Sequence, residues 1–169
     1  MKEIPENPVV AVLGGAGEMG RKAVSIVSQF EGISELIVAD FDLGAAEKIV
    51  AKNTAEAKMS LTAAQVDVAD AKQLTELLDG VAVVLNMTGP FYRLGVSVLQ
   101  AALSAGCHYL DICDDWEPTI DMLALHEEAV ESDVVAVIGI GASPGISNIL
   151  ARVVCDRLDR VDDLYTVWP

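Results

Sequence analysis

Basic residues, aromatics and cysteines are all scarce in this chain of 169 residues. Eleven Lys and Arg stand against 26 Asp and Glu, for a formal net charge of −15, and no basic run interrupts the imbalance. Such a surface repels a phosphate backbone and an anionic bilayer, so nucleic acid and membrane are excluded as expected partners and a small molecule is favoured. Aromatics make up only 5% of the chain, leaving its core to Val, Ile, Leu and Ala within a hydrophobic total of 52%. That much burial potential excludes intrinsic disorder. The three cysteines, Cys107, Cys113 and Cys155, form no C-x-x-C pair, which argues against a disulfide framework and a zinc knuckle alike and leads us to expect a reducing, cytoplasmic setting. Residues 1–8 form a polar, proline-containing tail without the apolar segment and cleavage site of a signal peptide. The longest uncharged run, Val134 to Ala151, carries three Gly, a Pro, two Ser and an Asn, and so reads as strand, glycine turn and helix start instead of a membrane span.

What is abundant is a repeating pattern. Val9 to Leu13, Leu36 to Ala39, Leu61 to Val68, Val81 to Met87, His108 to Ile112 and Val134 to Ile138 are strand-length runs rich in branched residues. Helical spacing fills the intervals Met19 to Phe30, Leu43 to Lys58, Ala71 to Leu78, Leu94 to Ala105 and Thr119 to Glu131, each long enough to cross a sheet and return parallel. Gly145 to Leu158 reads as a further helix and Asp163 to Trp168 as a seventh strand. The expected division is a tail over 1–8, a dinucleotide-binding domain over 9–143, and over 144–169 a connecting helix with the first strand of a second, truncated domain.

The first strand runs straight into Gly14-Gly-Ala-Gly-Glu-Met-Gly20, which contains the spacing Gly15-x-Gly17-x-x-Gly20 at the opening of a helix. There, Gly15 permits a tight turn, Gly17 lets backbone approach a pyrophosphate, and Gly20 lets helix and strand pack closely. Ala16, Glu18 and Met19 complete the stretch, whose free N–H groups attract phosphate. The predicted fold is therefore α/β, a Rossmann-type doubly wound parallel sheet of order 3-2-1-4-5-6. Asp40 ends the second strand 20 residues after Gly20, where a carboxylate accepts hydrogen bonds from both ribose hydroxyls; capping of the helix at Leu43 is the plainer use of the same residue. Phe41 and Asp42 follow where an Arg would accommodate a 2′-phosphate, so NAD is favoured, with NADP kept open by Arg21 and Lys22 on the adjacent helix. Asp67, in the Val66-Asp67-Val68 that closes the third strand, either reaches the adenine or is an ordinary turn carboxylate. Thr88, Gly89 and Pro90, after the fourth, keep backbone close to the central riboses.

Taken with Thr88-Gly-Pro-Phe-Tyr92, Gly106-Cys-His-Tyr-Leu-Asp111 and Gly141-Ala-Ser-Pro-Gly-Ile-Ser-Asn148, the chain resembles the NAD(P)-binding domain of the saccharopine dehydrogenase family from Val9 to Trp168. The resemblance implies hydride exchange between nicotinamide and a carbon–nitrogen bond of an amino-acid-type substrate, held largely by a second α+β domain. Saccharopine-forming reductases carry Asp before the Pro-Gly of the last motif, whereas this chain has Ser143, so saccharopine itself is not implied.

Near the nicotinamide, three residues are candidates for chemistry. Asp111 could orient an amine or relay a proton, or else tie its loop to the sheet. Tyr92 could hydrogen-bond near the nicotinamide, and Arg93 could attract a substrate carboxylate or simply begin a helix. His108 sits at the far end of its strand and reads as structural, while His126 lies on a solvated helix face; no metal-ligand spacing is present. Two functions fit: the cofactor half of an NAD(P)-dependent dehydrogenase, inactive as an isolated fragment, and a non-catalytic dinucleotide-binding redox sensor. Either leaves room for a homodimer.

Overall fold

A computed structural model describes residues 3–167 of the chain. Its core is a six-stranded, wholly parallel sheet: β1 (Val9–Leu13), β2 (Glu35–Asp40), β3 (Ser60–Gln65), β4 (Val83–Asn86), β5 (His108–Asp111) and β6 (Ala136–Val137). They lie in the order β3-β2-β1-β4-β5-β6, the order expected of the Rossmann-type fold that the glycine turn and the alternating strands and helices predict. The order reverses between β1 and β4, which opens a crevice beyond their carboxyl ends.

The helices that lie between the strands present apolar residues to one or other face of the sheet. Helix α1 (Glu18–Val27) buries Gly20, Val24 and Val27, at spacings of four and three residues, and packs with α2 (Leu43–Asn53) over Val10, Val12, Leu36 and Val38. On the opposite face, α3 (Ala71–Leu78), α4 (Phe91–Ser104), α5 (Trp116–Leu123) and α6 (His126–Glu131) cover Ala11, Leu13, Val84 and Tyr109. Strand residues two apart share a face, so Ala11 and Leu13 serve this second core while Val10 and Val12 serve the first. Asp42 caps α2 through Ala45 N at 3.0 Å, and Asp70 caps α3 through Lys72 N and Gln73 N at 3.0 and 3.2 Å.

Three expectations need correction. The single helix expected from Thr119 to Glu131 is two, broken at Ala124 and Leu125, and the break turns Leu125 against the core while Leu123 stays exposed. The third strand ends at Gln65, and Val66 and Asp67 lead into a turn over Val68 and Ala69 that Asp70 N closes by donating to Asp67 O at 2.9 Å. The seventh strand is not formed over Asp163 to Val167, and Leu164, Tyr165 and Val167 stand exposed; Trp168 lies outside the described residues. Branched and aromatic residues favour a strand only where a neighbour supplies ladder hydrogen bonds, and among the described residues no strand flanks this segment. The last helix, α7 (Ile146–Cys155), buries none of its residues and turns Ile146, Ile149, Leu150 and Val154 to solvent. Among the described residues no helix is long and apolar enough to cross a membrane.

Candidate functional site

The turn between β1 and α1 is built almost wholly from backbone. Positive φ occurs at Gly14, at 70°, so the tight turn expected of Gly15 belongs to its neighbour. Gly15 is required for a different reason: a Cβ there meets Val38 Cγ1 at 2.6 Å. A Cβ on Gly20 lies 1.9 Å from Gly14 O, so that glycine seats α1 against the turn itself. Gly17 differs from both. Its hypothetical Cβ has only Gly14 O within 4 Å, at 3.2 Å, and points otherwise into open space. Gly17 is also the N-cap of α1, with no side chain capping the helix, so the first-turn N–H groups of Glu18, Met19 and Gly20 have no intrahelical acceptor. A backbone cradle with one open side and a helix dipole behind it suits an anion such as a pyrophosphate.

Asp40 joins this turn to the end of β2. Its Oδ2 accepts from Ala16 N at 3.0 Å and its Oδ1 from Asp42 N at 3.1 Å. The N–H of Ala16 is thereby used within the protein and is unavailable to a phosphate. Each Asp40 oxygen keeps a lone pair for a ribose hydroxyl. The helix capping considered for Asp40 is carried out by Asp42.

Gly17, Asp40, Asp67, Thr88 and Gly89 converge on one cleft of about 330 Å³ at the carboxyl ends of β1, β2 and β4, together with Gly14. Phe41, Val68, Met87 and Leu94 add apolar walls that the sequence reading did not assign to the site. Phe41 carried the available signal, being a large apolar residue directly after the strand-end acid, and it stands 70% exposed. Asp67 Oδ1 accepts from Ala69 N at 2.9 Å, so the carboxylate is both a turn element and part of the cleft lining. Pro90 is the N-cap of α4 and, like Gly15, Ala16, Glu18, Met19 and Gly20, does not line the cleft.

The three residues expected near the substrate are not brought together. Tyr92 lines a different cleft, about 440 Å³, with Trp116 and Ile120 between α4 and α5. Arg93 is exposed in the first turn of α4. Asp111 is fully buried: Oδ1 accepts from Gly139 N at 2.7 Å and Cys113 N at 3.0 Å, and Oδ2 accepts from the Tyr109 hydroxyl at 2.8 Å. This is the loop-tying arrangement, which holds the segments after β5 and β6 to the sheet. Burial, reinforced by the Asp111 charge, pushes the Tyr109 phenol well above its ordinary range. Burial also raises the Cys113 thiol, whose Sγ lies 3.5 Å from Asp115 O and 3.6 Å from Thr119 Oγ1, so it is a protonated packing group. His108 accepts from Val135 N at Nδ1, 3.0 Å away, in the structural role expected of it. No group of His, Cys, Asp and Glu among the described residues is arranged to hold a metal ion.

A doubly wound parallel sheet with a glycine turn, an open helix N-terminus and a strand-end carboxylate at its switch point defines a dinucleotide-binding domain. The family comparison agrees: residues 10–137 match the model of the saccharopine dehydrogenase NADP-binding domain, and the chain belongs to that family. It is a saccharopine dehydrogenase-like NAD(P)-binding Rossmann domain. Among solved structures, apo saccharopine dehydrogenase (L-Glu forming) from Saccharomyces cerevisiae superposes with a TM-score of 0.75 at 20% identity, over 89% of this chain and 31% of that one. A short-chain dehydrogenase from Mycobacterium smegmatis matches with a TM-score of 0.62 at 16% identity, over 80% of each chain. Shikimate 5-dehydrogenase from Listeria monocytogenes, in complex with shikimate and NAD, gives 0.53 at 17% identity over 79% of this chain and 46% of its own. These likenesses concern the fold.

Proposed function

We propose that the cleft takes NAD(H) in preference to NADP(H), and that the chain is the cofactor half of an oxidoreductase acting on a carbon–nitrogen bond of an amino-acid-type substrate. The observation that carries the cofactor choice is Asp40, anchored by Ala16 N and Asp42 N at the rim of a cleft that no Lys or Arg among the described residues lines. A 2′-phosphate placed beside that carboxylate meets like charge, whereas two ribose hydroxyls meet acceptors. Of the flanking cations, Lys22 leans on Glu18 at 3.8 Å, and Arg21 lies outside the cleft lining. The family's description names NADP; the carboxylate argues for NAD in this member.

When bound, the dinucleotide supplies or accepts the hydride. In this reading the pyrophosphate sits over Gly17, where the cleft meets the uncapped N-terminus of α1, Asp40 holds the adenosine ribose, and Asp67 with Phe41 the adenine. Arg93, exposed at the start of α4, attracts a substrate carboxylate, and Tyr92 beside it orients the substrate; Asp111 contributes by fixing the loops at Cys113 and Gly139. In the whole protein a second domain closes the crevice against water, a role suggested by the solvent-facing apolar stripe of α7 and by the longer yeast relative. The buried, fully engaged Asp111 also favours a second reading, a dinucleotide-binding sensor without turnover, which steady-state assay of the whole protein on amino-acid adducts separates from the first.

Calorimetric titration tests the cofactor assignment. NAD should bind at least tenfold more tightly than NADP, and Asp40→Ser should narrow or invert that ratio. Tighter NADP binding by the unaltered chain refutes the assignment.

A further inference from the structure

Two motifs distant in sequence, Asn86-Met-Thr88 and His108-Tyr-Leu-Asp111, are joined by a buried run of hydrogen bonds that ends at the dinucleotide cleft. Asn86 and Asp111 are register partners on β4 and β5, and Tyr109, two residues before Asp111, shares its face. The Asn86 and Asp111 side chains and the Tyr109 ring are all fully buried. The direction of every bond follows from the first. Asp111 is an acceptor, already holding two backbone N–H groups on Oδ1, so the Tyr109 hydroxyl must donate to Oδ2. With its only proton so used, Tyr109 Oη can only accept, and it receives Asn86 Nδ2 at 3.0 Å. That fixes the amide: Asn86 Oδ1 turns toward Thr88 and accepts both its N–H, at 3.0 Å, and its Oγ1–H. Thr88 is further held because its Cγ2 lies over Gly14, 3.0 Å from where a Cβ of that residue would sit. Thr88 lines the cleft with its hydroxyl proton committed inward. All that Oγ1 can offer a bound molecule is a lone pair.

Building on the cofactor reading above, we propose that Tyr109 and Asn86 are positioning residues that set Thr88 as an acceptor-only group, which recognises a ribose hydroxyl on the nicotinamide side of the dinucleotide and discriminates against a phosphate oxygen there. Phosphate oxygens bring no proton at neutral pH, so they find donors at the glycine turn and none at Thr88; a sugar hydroxyl fits the reverse pattern. The polarity is rooted in Asp111, which gives that buried carboxylate a function beyond tying loops.

The test is a binding cycle on the full chain, read by calorimetry with NADH and with ADP. Thr88→Val should weaken NADH roughly three- to tenfold, the loss of one neutral hydrogen bond, and Thr88→Ser should restore it to within about twofold. Tyr109→Phe should weaken NADH to a similar degree, and the double variant Tyr109→Phe/Thr88→Val should be no weaker than Thr88→Val alone, because Tyr109 acts through Thr88. ADP affinity should be unchanged throughout. A Tyr109→Phe chain that binds NADH normally, additive losses in the double variant, or a parallel loss of ADP overturns the proposal. Should Tyr109→Phe not fold, the unaltered chain still decides: an NADH analogue with fluorine in place of the nicotinamide-ribose hydroxyls should bind several-fold more weakly, and Thr88→Val should erase that difference. Equal affinity for NADH and the fluoro analogue in the unaltered chain overturns it. An unaltered chain that binds neither NADH nor ADP overturns the cofactor reading, and this proposal with it. Normal binding of both ligands combined with indifference to the substitutions removes the relay alone.

Discussion

Gly17 and Gly20 lie three residues apart in the same motif, and the structure requires their alanine variants to fail in opposite ways. At Gly20 the added Cβ falls 1.9 Å from Gly14 O, 2.7 Å from Gly14 C and 2.8 Å from Gly15 Cα. All three are backbone atoms, so no side chain can swing aside, and relief comes only if α1 lifts from the turn and loosens Val24 and Val27 from the sheet. Overpacking of this kind costs about 1–3 kcal/mol, here toward the upper end because backbone must move. Replacing a helical glycine by alanine returns up to ~1 kcal/mol, leaving a net loss near 2 kcal/mol. For a chain of this length that lowers Tm by roughly 4–8 °C.

At Gly17 the same methyl group meets one atom at 3.2 Å, and φ −65°, ψ 174° is open to any residue. Weaker capping by alanine than by glycine costs about 1 kcal/mol at most. The methyl nevertheless stands where a pyrophosphate must approach, so NADH affinity should fall at least tenfold in Gly17→Ala, about 1.4 kcal/mol, and beyond detection in Gly17→Val. Thermal unfolding followed by circular dichroism, paired with NADH titration, reads both quantities on each variant. An unshifted Tm in Gly20→Ala refutes the packing argument, and unchanged NADH affinity in Gly17→Val refutes the placement of the pyrophosphate.

Two further outcomes concern protonation. Because burial and Asp111 hold the Tyr109 proton in the folded state, the native chain binds more protons than the unfolded one above pH 10, and stability should fall there by about 1.4 kcal/mol per pH unit. Phenolate absorbance of the unaltered chain and of Tyr109→Phe should coincide until alkaline unfolding, and a Tyr109 ionisation step in the intact fold counts against its burial. Asp70, whose carboxyl is held below its ordinary value by the backbone N–H and side chain of Gln73 and by Lys72, stabilises α3 above the usual carboxylate range and loses that effect as pH falls through its folded value. Asp70→Ala should therefore lower Tm at pH 7, with the gap to the unaltered chain closing in acid; a constant gap contradicts capping by the carboxylate.

How much of this was legible beforehand depended on the range of the interactions involved. The glycine turn, Asp40 and the sheet order are set by contacts between neighbouring βα units, and such local rules are written in spacing. The finer division of labour was not. That Gly14 and not Gly15 carries positive φ, and that Gly15 yields to Val38, depends on a side chain 23 residues further along the chain. Ala16 has an unremarkable side chain and an N–H that looks free for phosphate until Asp40, 24 residues away, is found accepting it.

Asp111 shows the limit most clearly. An acid at the carboxyl end of a strand beside a nucleotide crevice has the position of a catalytic group, and period-two alternation places Tyr109 on its face, but neither fact says what meets them. The donors come from Cys113 and from Gly139, 28 residues downstream, and Tyr109 bridges to Asn86, 23 residues upstream. Four hydrogen bonds thus convert an apparent acid–base residue into the root of a polarity relay. The failed seventh strand follows the same logic from the other side: Asp163 to Val167 has the residue types of a strand, and residue types without a partner edge leave it exposed. A strand-end carboxylate in this fold is accordingly to be judged by its donors before its position. Asp40 has an N–H on each oxygen and stays at the cleft with lone pairs to offer, whereas Asp111, with three donors and no exposure, acts only through the residues it orients.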